Sequence, residues 1–115
     1  MKNVSPIDLL FMKHTSPNLR VRLRAIRTEA VYAILQDADT PLSAREIFDK
    51  FGEKDAWGEA HLSDGTWVNI GHVVHALRRF IAAGIVSSNG VREVWYNVNE
   101  NTKKRGEVRL YSLNR

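Results

Sequence analysis

The sequence predicts a single mixed α+β domain, with three core helices followed by a β-hairpin and a helical extension in front. Three observations lead there. Apolar residues recur at intervals of three and four from Leu19 to Leu35 and again from Ile70 to Ile81, the spacing of an amphipathic helix. The last quarter of the chain is rich in β-branched and aromatic residues, which suit strands. A length of 115 residues, 43% of them hydrophobic and 26% charged, is enough for one buried core and too short for two.

Ser5-Pro6 and Ser16-Pro17 each place a capping serine ahead of a proline suited to a first helical turn. The first predicts a short helix over residues 6–13. Residues 1–19 are thus read as an extension, a short helix or dimerisation arm, and residues 20–115 as the domain proper. The second motif opens a longer helix reaching about Asp37. Its expected apolar face is Leu19, Leu23, Ile26, Ala30, Ile34 and Leu35, with Arg20, Arg24 and Arg27 on another face. Asp39-Thr40-Pro41 breaks it. Ser43 and Glu46 have the spacing of a capping box and predict a helix over 44–51, stopped by Gly52. Residues 53–65 carry no clear period and are read as a loop, with room for one helical turn. The next helix is expected over 68–83, ended by Gly84. Its apolar face is Ile70, Val73, Val74, Leu77, Phe80 and Ile81; His72, His75 and Arg79 lie opposite. Ser87-Ser88-Asn89-Gly90 reads as a turn. Two strands follow, over 91–100 and 107–113, joined by a basic loop at 101–106.

The net charge of +4 is unevenly distributed. Residues 1–27 hold six basic side chains and one acid, residues 37–64 hold eight acids against three bases, and residues 65–92 hold three arginines and no acid. Such segregation suits a face apposed to phosphates. The absence of cysteine excludes disulfides and thiolate metal sites and fits a reducing compartment. No apolar run approaches the ~20 residues that span a bilayer. A cytoplasmic protein without membrane contact is expected.

The order of helix, short strand, helix, helix and hairpin resembles the winged helix-turn-helix family. Pro41-Leu42-Ser43-Ala44-Arg45-Glu46-Ile47 looks like that family's first strand running into its second helix. The run from Val73 to Val86, closing Ala82-Ala83-Gly84-Ile85-Val86, looks like the end of its recognition helix, and the hairpin looks like its wing. The resemblance covers roughly residues 27–113. It departs at residues 52–65, which are longer than the family's tight turn, at Val74 and Ile81, where such proteins often carry polar residues, and in the extension before Arg20. It implies sequence-specific binding of double-stranded DNA by a small transcriptional regulator. The third helix would enter the major groove, and Thr66, Trp67, Asn69, His72, His75, Arg78 and Arg79 would lie near bases or phosphates. Lys103, Lys104 and Arg105 at the wing tip would reach the backbone. Homodimerisation through residues 6–13 or through Val74 and Ile81 fits the same picture. A protein-protein interaction module, docking a partner through the acidic 52–65 loop, is the alternative. Single-stranded nucleic acid could instead stack on Trp95 and Tyr96.

His72 and His75 have a spacing that can bind zinc, with Glu59 and His61 nearby in sequence, but there is no His-Glu-x-x-His motif and no clear third ligand. Asp55, Glu59 and Asp64 do not match a calcium loop. No nucleophile elbow, phosphate-binding glycine loop or catalytic carboxylate pair is present. No enzyme activity, metal or cofactor is expected.

Overall fold

The computed structural model of the chain describes residues 17–114. The helix expected over 6–13 lies outside them. The protein is mixed α+β, with three helices and two small antiparallel sheets among the described residues. The helices are α1 (Leu19–Asp37), α2 (Ala44–Asp49) and α3 (Ile70–Ala82). Strands β1 (Ala60–His61) and β2 (Trp67–Val68) pair with each other, as do β3 (Val86–Asn99) and β4 (Thr102–Leu113). No described helix is long and apolar enough to cross a membrane.

Helix α1 is capped by Asn18, whose side chain accepts from the Val21 N–H at 3.2 Å. The expected cap was Ser16; Asn18 offers an equivalent oxygen two residues later. The buried face of α1 agrees with expectation only at Leu35. Ala25, Thr28, Val31 and Leu35 face the core, whereas Leu19 is exposed and Leu23, Ile26, Ala30 and Ile34 are half-buried. Small residues at the crossing, Ala25 and Thr28, suit a close approach of two helices. Longer apolar chains occupy the other side.

Helix α2 begins with the predicted capping box. The Glu46 N–H donates to Ser43 Oγ at 3.1 Å, and the Ser43 N–H donates to Glu46 Oε1 at 3.0 Å. Gly52, with φ of 91°, closes the segment. Residues 53–65, expected as a loop, include half of a miniature hairpin in which Ala60 pairs with Val68 and His61 with Trp67. Two paired residues are too few to leave a period-2 signature in the sequence. Val68 consequently belongs to β2, and α3 starts two residues later than expected, with Asn69 as its cap.

Leu42 joins the larger sheet as an isolated bridge to Tyr111, exchanging backbone hydrogen bonds of 3.0 and 2.7 Å. The core lies between the helices and the base of that sheet. Phe80, Ile47, Leu77, Val31, Val68 and Val73 are its largest fully buried apolar side chains. The Tyr32 and Phe80 rings meet at 5.9 Å between centroids.

Beyond its base the β3–β4 hairpin is a free arm. Twelve residues of strand extend ~40 Å, in keeping with a longest molecular dimension of 60 Å. The turn expected at residues 87–90 is strand instead. Gly90 adopts φ of 101° where the register slips between Ser88 and Val91, so the glycine serves a bulge and not a reversal. The true reversal is at Glu100-Asn101, which places Lys103, Lys104 and Arg105 within β4, not in a loop. Tyr96 covers Gly106 across the strands: a Cβ there would sit 3.0 Å from the tyrosine ring.

The helical core should carry the stability and the arm little of it. Phe80→Ala is expected to cost about 3–5 kcal/mol in urea unfolding, from lost burial and the cavity left behind. Trp95→Ser, at a side chain 67% exposed, should change it by under ~0.5 kcal/mol. Similar losses for both would contradict this division.

Candidate functional site

Two basic stripes meet where α1 packs on α3. Arg20, Arg24 and Arg27 lie four and three residues apart on α1, hence on one face. His72, His75 and Arg79 lie three and four apart on α3, also on one face. All six line one open cavity of about 250 Å³, and among the described residues no carboxylate lines it.

Several contacts fix this seam. Arg79 donates from Nη2 to Thr28 Oγ1, and the Thr28 hydroxyl donates to the Arg24 carbonyl at 2.7 Å. Arg27 Nε donates to the Trp67 carbonyl at 2.8 Å, and its guanidinium lies 4.7 Å from the centre of the Trp67 ring. That ring stands 4.9 Å from the His72 ring. Arg27 Nη2 is buried without a hydrogen-bond partner among the described residues.

The start of α3 uses histidine where a capping box usually has glutamate or glutamine. The His72 N–H donates to Asn69 Oδ1 at 2.9 Å, and the Asn69 N–H donates to His72 Nδ1 at 3.0 Å. An accepting Nδ1 requires a neutral ring with its proton on Nε2. Burial, then the fields of Arg27 and His75, push the His72 pKa down to about 4. Burial also lowers the Arg79 pKa, helped by Arg24. Burial lowers that of Arg27 against the opposing pull of Glu59. Gly71 follows the cap; a Cβ there would lie 3.1 Å from Asn69 Oδ1.

The residues anticipated as a binding set divide into three groups. Thr66 is only 8% exposed, and the Asn69 side-chain oxygen is engaged as the helix cap. His72 and Arg79 are half-buried in the seam beside Trp67; the polar side of α3 is therefore shared between α1 and solvent, not wholly outward as expected. His75 and Arg78 are exposed on α3. Ile70 and Ile81, expected in the core, are exposed, and Val74 is half-buried. Lys103, Lys104 and Arg105 are exposed on the arm, where alternation sends Lys103 and Lys104 to opposite faces. Arg105 is ion-paired with Glu93. Arg20, Arg24 and Arg27 were not anticipated as site residues, although their spacing on one face was visible.

The acidic loop is internally committed. Asp55 Oδ1 accepts the N–H groups of Trp57 and Glu59 at 2.8 and 3.0 Å, and its Oδ2 lies 2.8 Å from His61 Nε2. Asp64 accepts the Thr66 N–H at 2.9 Å. These turns hold Trp57 outward, 85% exposed. Among the described residues no group of three or more His, Asp or Glu side chains could hold a metal ion.

Comparison with protein-family models, with curated proteins and with solved structures returns no match.

The neutral histidine cap makes a pH prediction. The unfolded ring titrates near 6.5 and the folded ring at about 4. Between those values the unfolded state binds the extra proton, so stability is complete above pH 6.5 and falls as pH drops towards 4. His72 is partly solvated; screening trims the effect to roughly 1 kcal/mol, a drop in Tm of about 5 °C. Gln at this position keeps the cap without titrating. Thermal unfolding of wild type and His72→Gln between pH 4 and 7 checks it: the gap between the two curves should change across this window, and parallel curves would remove the neutral-cap assignment.

Proposed function

We propose that this chain is a sequence-specific double-stranded DNA-binding protein of winged helix-turn-helix type, acting as a small transcriptional regulator. The observation that carries the reading is the charge of α3 and its seam. From Gly65 to Arg92 there is no acidic residue, and the carboxylate-free cavity continues that surface onto α1. In this reading α3 lies in the major groove with His75 and Arg78 towards base edges. Arg20, Arg24 and Arg79 meet phosphates, and Lys103 and Lys104 on the arm meet the backbone further along. The Leu42 bridge to Tyr111 supports the winged arrangement, because it ties a short strand before α2 to the hairpin.

A second reading, a protein-interaction module, is favoured by Trp57, which stands outward from an ordered turn, and by exposed Val91, Trp95, Tyr96 and Val98 on the arm. The two differ in their salt dependence. Fluorescence anisotropy with duplex DNA should give affinity falling with log salt at a slope near −0.9 per phosphate contacted. Lys103→Ala and Lys104→Ala should each weaken all sequences alike and flatten that slope by about 1. His75→Ala and Arg78→Ala should cost about 1–3 kcal/mol on preferred sequences and less on random ones. No binding of wild type to any duplex in 50 mM salt would leave the interaction reading in its place.

A further inference from the structure

We propose that the α1–α3 seam is a preformed site for a phosphoryl oxyanion, gripped by the guanidinium groups of Arg20, Arg24, Arg27 and Arg79 with His72 and His75 at its wall. It deepens the DNA-binding proposal, and rests on it only for the claim that the phosphate comes from a nucleic acid backbone.

Four features point to this occupant. The seam brings cationic side chains of two helices towards each other without an acid among them. In a closed fold such a stripe would ordinarily be offset by carboxylates, because like charges at close range repel. Glu59 acts on the cluster from outside the cavity lining, through Arg27. Second, Arg27 is held rigidly by the Trp67 carbonyl and ring, yet its Nη2 is buried with no hydrogen-bond partner among the described residues. A buried orphan donor is costly, and although Nη2 is itself closed to solvent, Arg27 lines the cavity, so an anion there that draws the guanidinium towards it would satisfy the donor. Third, the cavity is small. Its roughly 250 Å³ is below the ~300–1,000 Å³ of sites for larger ligands, but holds a phosphoryl group with a few waters. Fourth, guanidinium forks and N–H donors match tetrahedral phosphate oxygens geometrically. His72 contributes only Nε2–H, since Nδ1 is occupied by the Asn69 N–H.

Division of labour among the arginines follows from their surroundings. Arg27 and Arg79 are anchored by Trp67 and Thr28, so their substitution risks the fold. Arg20 and Arg24 are exposed, and no salt bridge engages them among the described residues. Arg24→Ala therefore tests the site with the least structural cost.

The experiment is a titration of the full chain with inorganic phosphate at pH 7.5, against sodium chloride at matched ionic strength, read by NMR of the histidine rings. The expected result is a saturable shift of the His72 and His75 resonances with phosphate, absent with chloride and absent at His61. Arg24→Ala, with its unfolding midpoint checked, should weaken the phosphate affinity at least tenfold, while Arg109→Ala on the arm leaves it unchanged. Shifts that never saturate, or that match those with chloride, overturn the proposal, as does saturable binding indifferent to Arg24→Ala. A second arm adds labelled duplex DNA at constant ionic strength. Displacement of DNA by phosphate assigns the site to the nucleic acid backbone. Phosphate binding without any DNA binding keeps the site, assigns it to a free phosphorylated ligand, and removes the DNA-binding proposal.

Discussion

The packing of α1 against α3 is the constraint on which the rest depends. It buries Val31, Leu77 and Phe80 and sets Tyr32 against the Phe80 ring. The same crossing brings Arg24 and Arg27 towards His72, His75 and Arg79. Magnitudes explain why the fold accepts this. Each large apolar side chain taken from water is worth about 1.5–3 kcal/mol, whereas two like charges 4 Å apart in bulk water repel by ~1 kcal/mol. Burial wins while the cavity stays open to solvent. The cost appears, through burial first and neighbouring cations second, as His72 held neutral and as an Arg79 whose charged form is disfavoured.

A second coupling joins the arm to the core through one carboxylate. Glu46 Oε1 accepts both the Ser43 N–H that completes the α2 cap and Arg92 Nη1 from β3, at 3.0 and 2.8 Å. The cap hydrogen bond and the arginine together hold the Glu46 carboxyl below its ordinary range. The Leu42–Tyr111 bridge immediately precedes that cap in sequence. The start of α2 and the root of the arm are therefore one structural unit, although 46 residues separate Glu46 from Arg92.

Local chemistry made much of this legible in the sequence. The Ser43–Glu46 box and the Gly52 and Gly84 stops depend on neighbours along the chain, and each appears where its residues predict; the final strands form too, but longer than expected, over Val86–Asn99 and Thr102–Leu113. What failed depends on partners far away. Apolar periodicity alone placed the core face of α1 on its Leu19–Ile34 side, because larger aliphatic residues outweigh Ala25 and Thr28 in any count; only the demand of a close helix crossing selects the small ones. Asn69 and His72 were read only as ligand contacts, because both are polar and near a helix start, and their pairing as a cap was missed. Nothing local distinguishes a histidine that faces outward from one that turns back to accept its own cap's N–H. Ser87–Gly90 carries the composition of a turn, and a bulge uses the same residue types. The three arginines of α1 were visible as a stripe, but its significance needs the facing stripe of α3, which is tertiary information.

The same distinction relocates the positive field of the molecule. In the sequence the densest basic run is Lys103-Lys104-Arg105, which points to the arm as the centre of that field. In three dimensions that run alternates between two faces, Arg105 is ion-paired with Glu93, and β3 and β4 together carry five basic residues against two acids. Lysines on a two-stranded ribbon also have a purely structural use, since they discourage its open edges from pairing with other chains. The seam has the opposite character. Its cations are spread through the sequence from Arg20 to Arg79, yet they converge on one small cavity that no carboxylate lines among the described residues. Coulomb attraction for an anion grows with convergence and with exclusion of water, not with adjacency along the chain. A field of this kind is therefore set by how α1 crosses α3, and the two apolar faces that fix the crossing also determine where negative charge can dock.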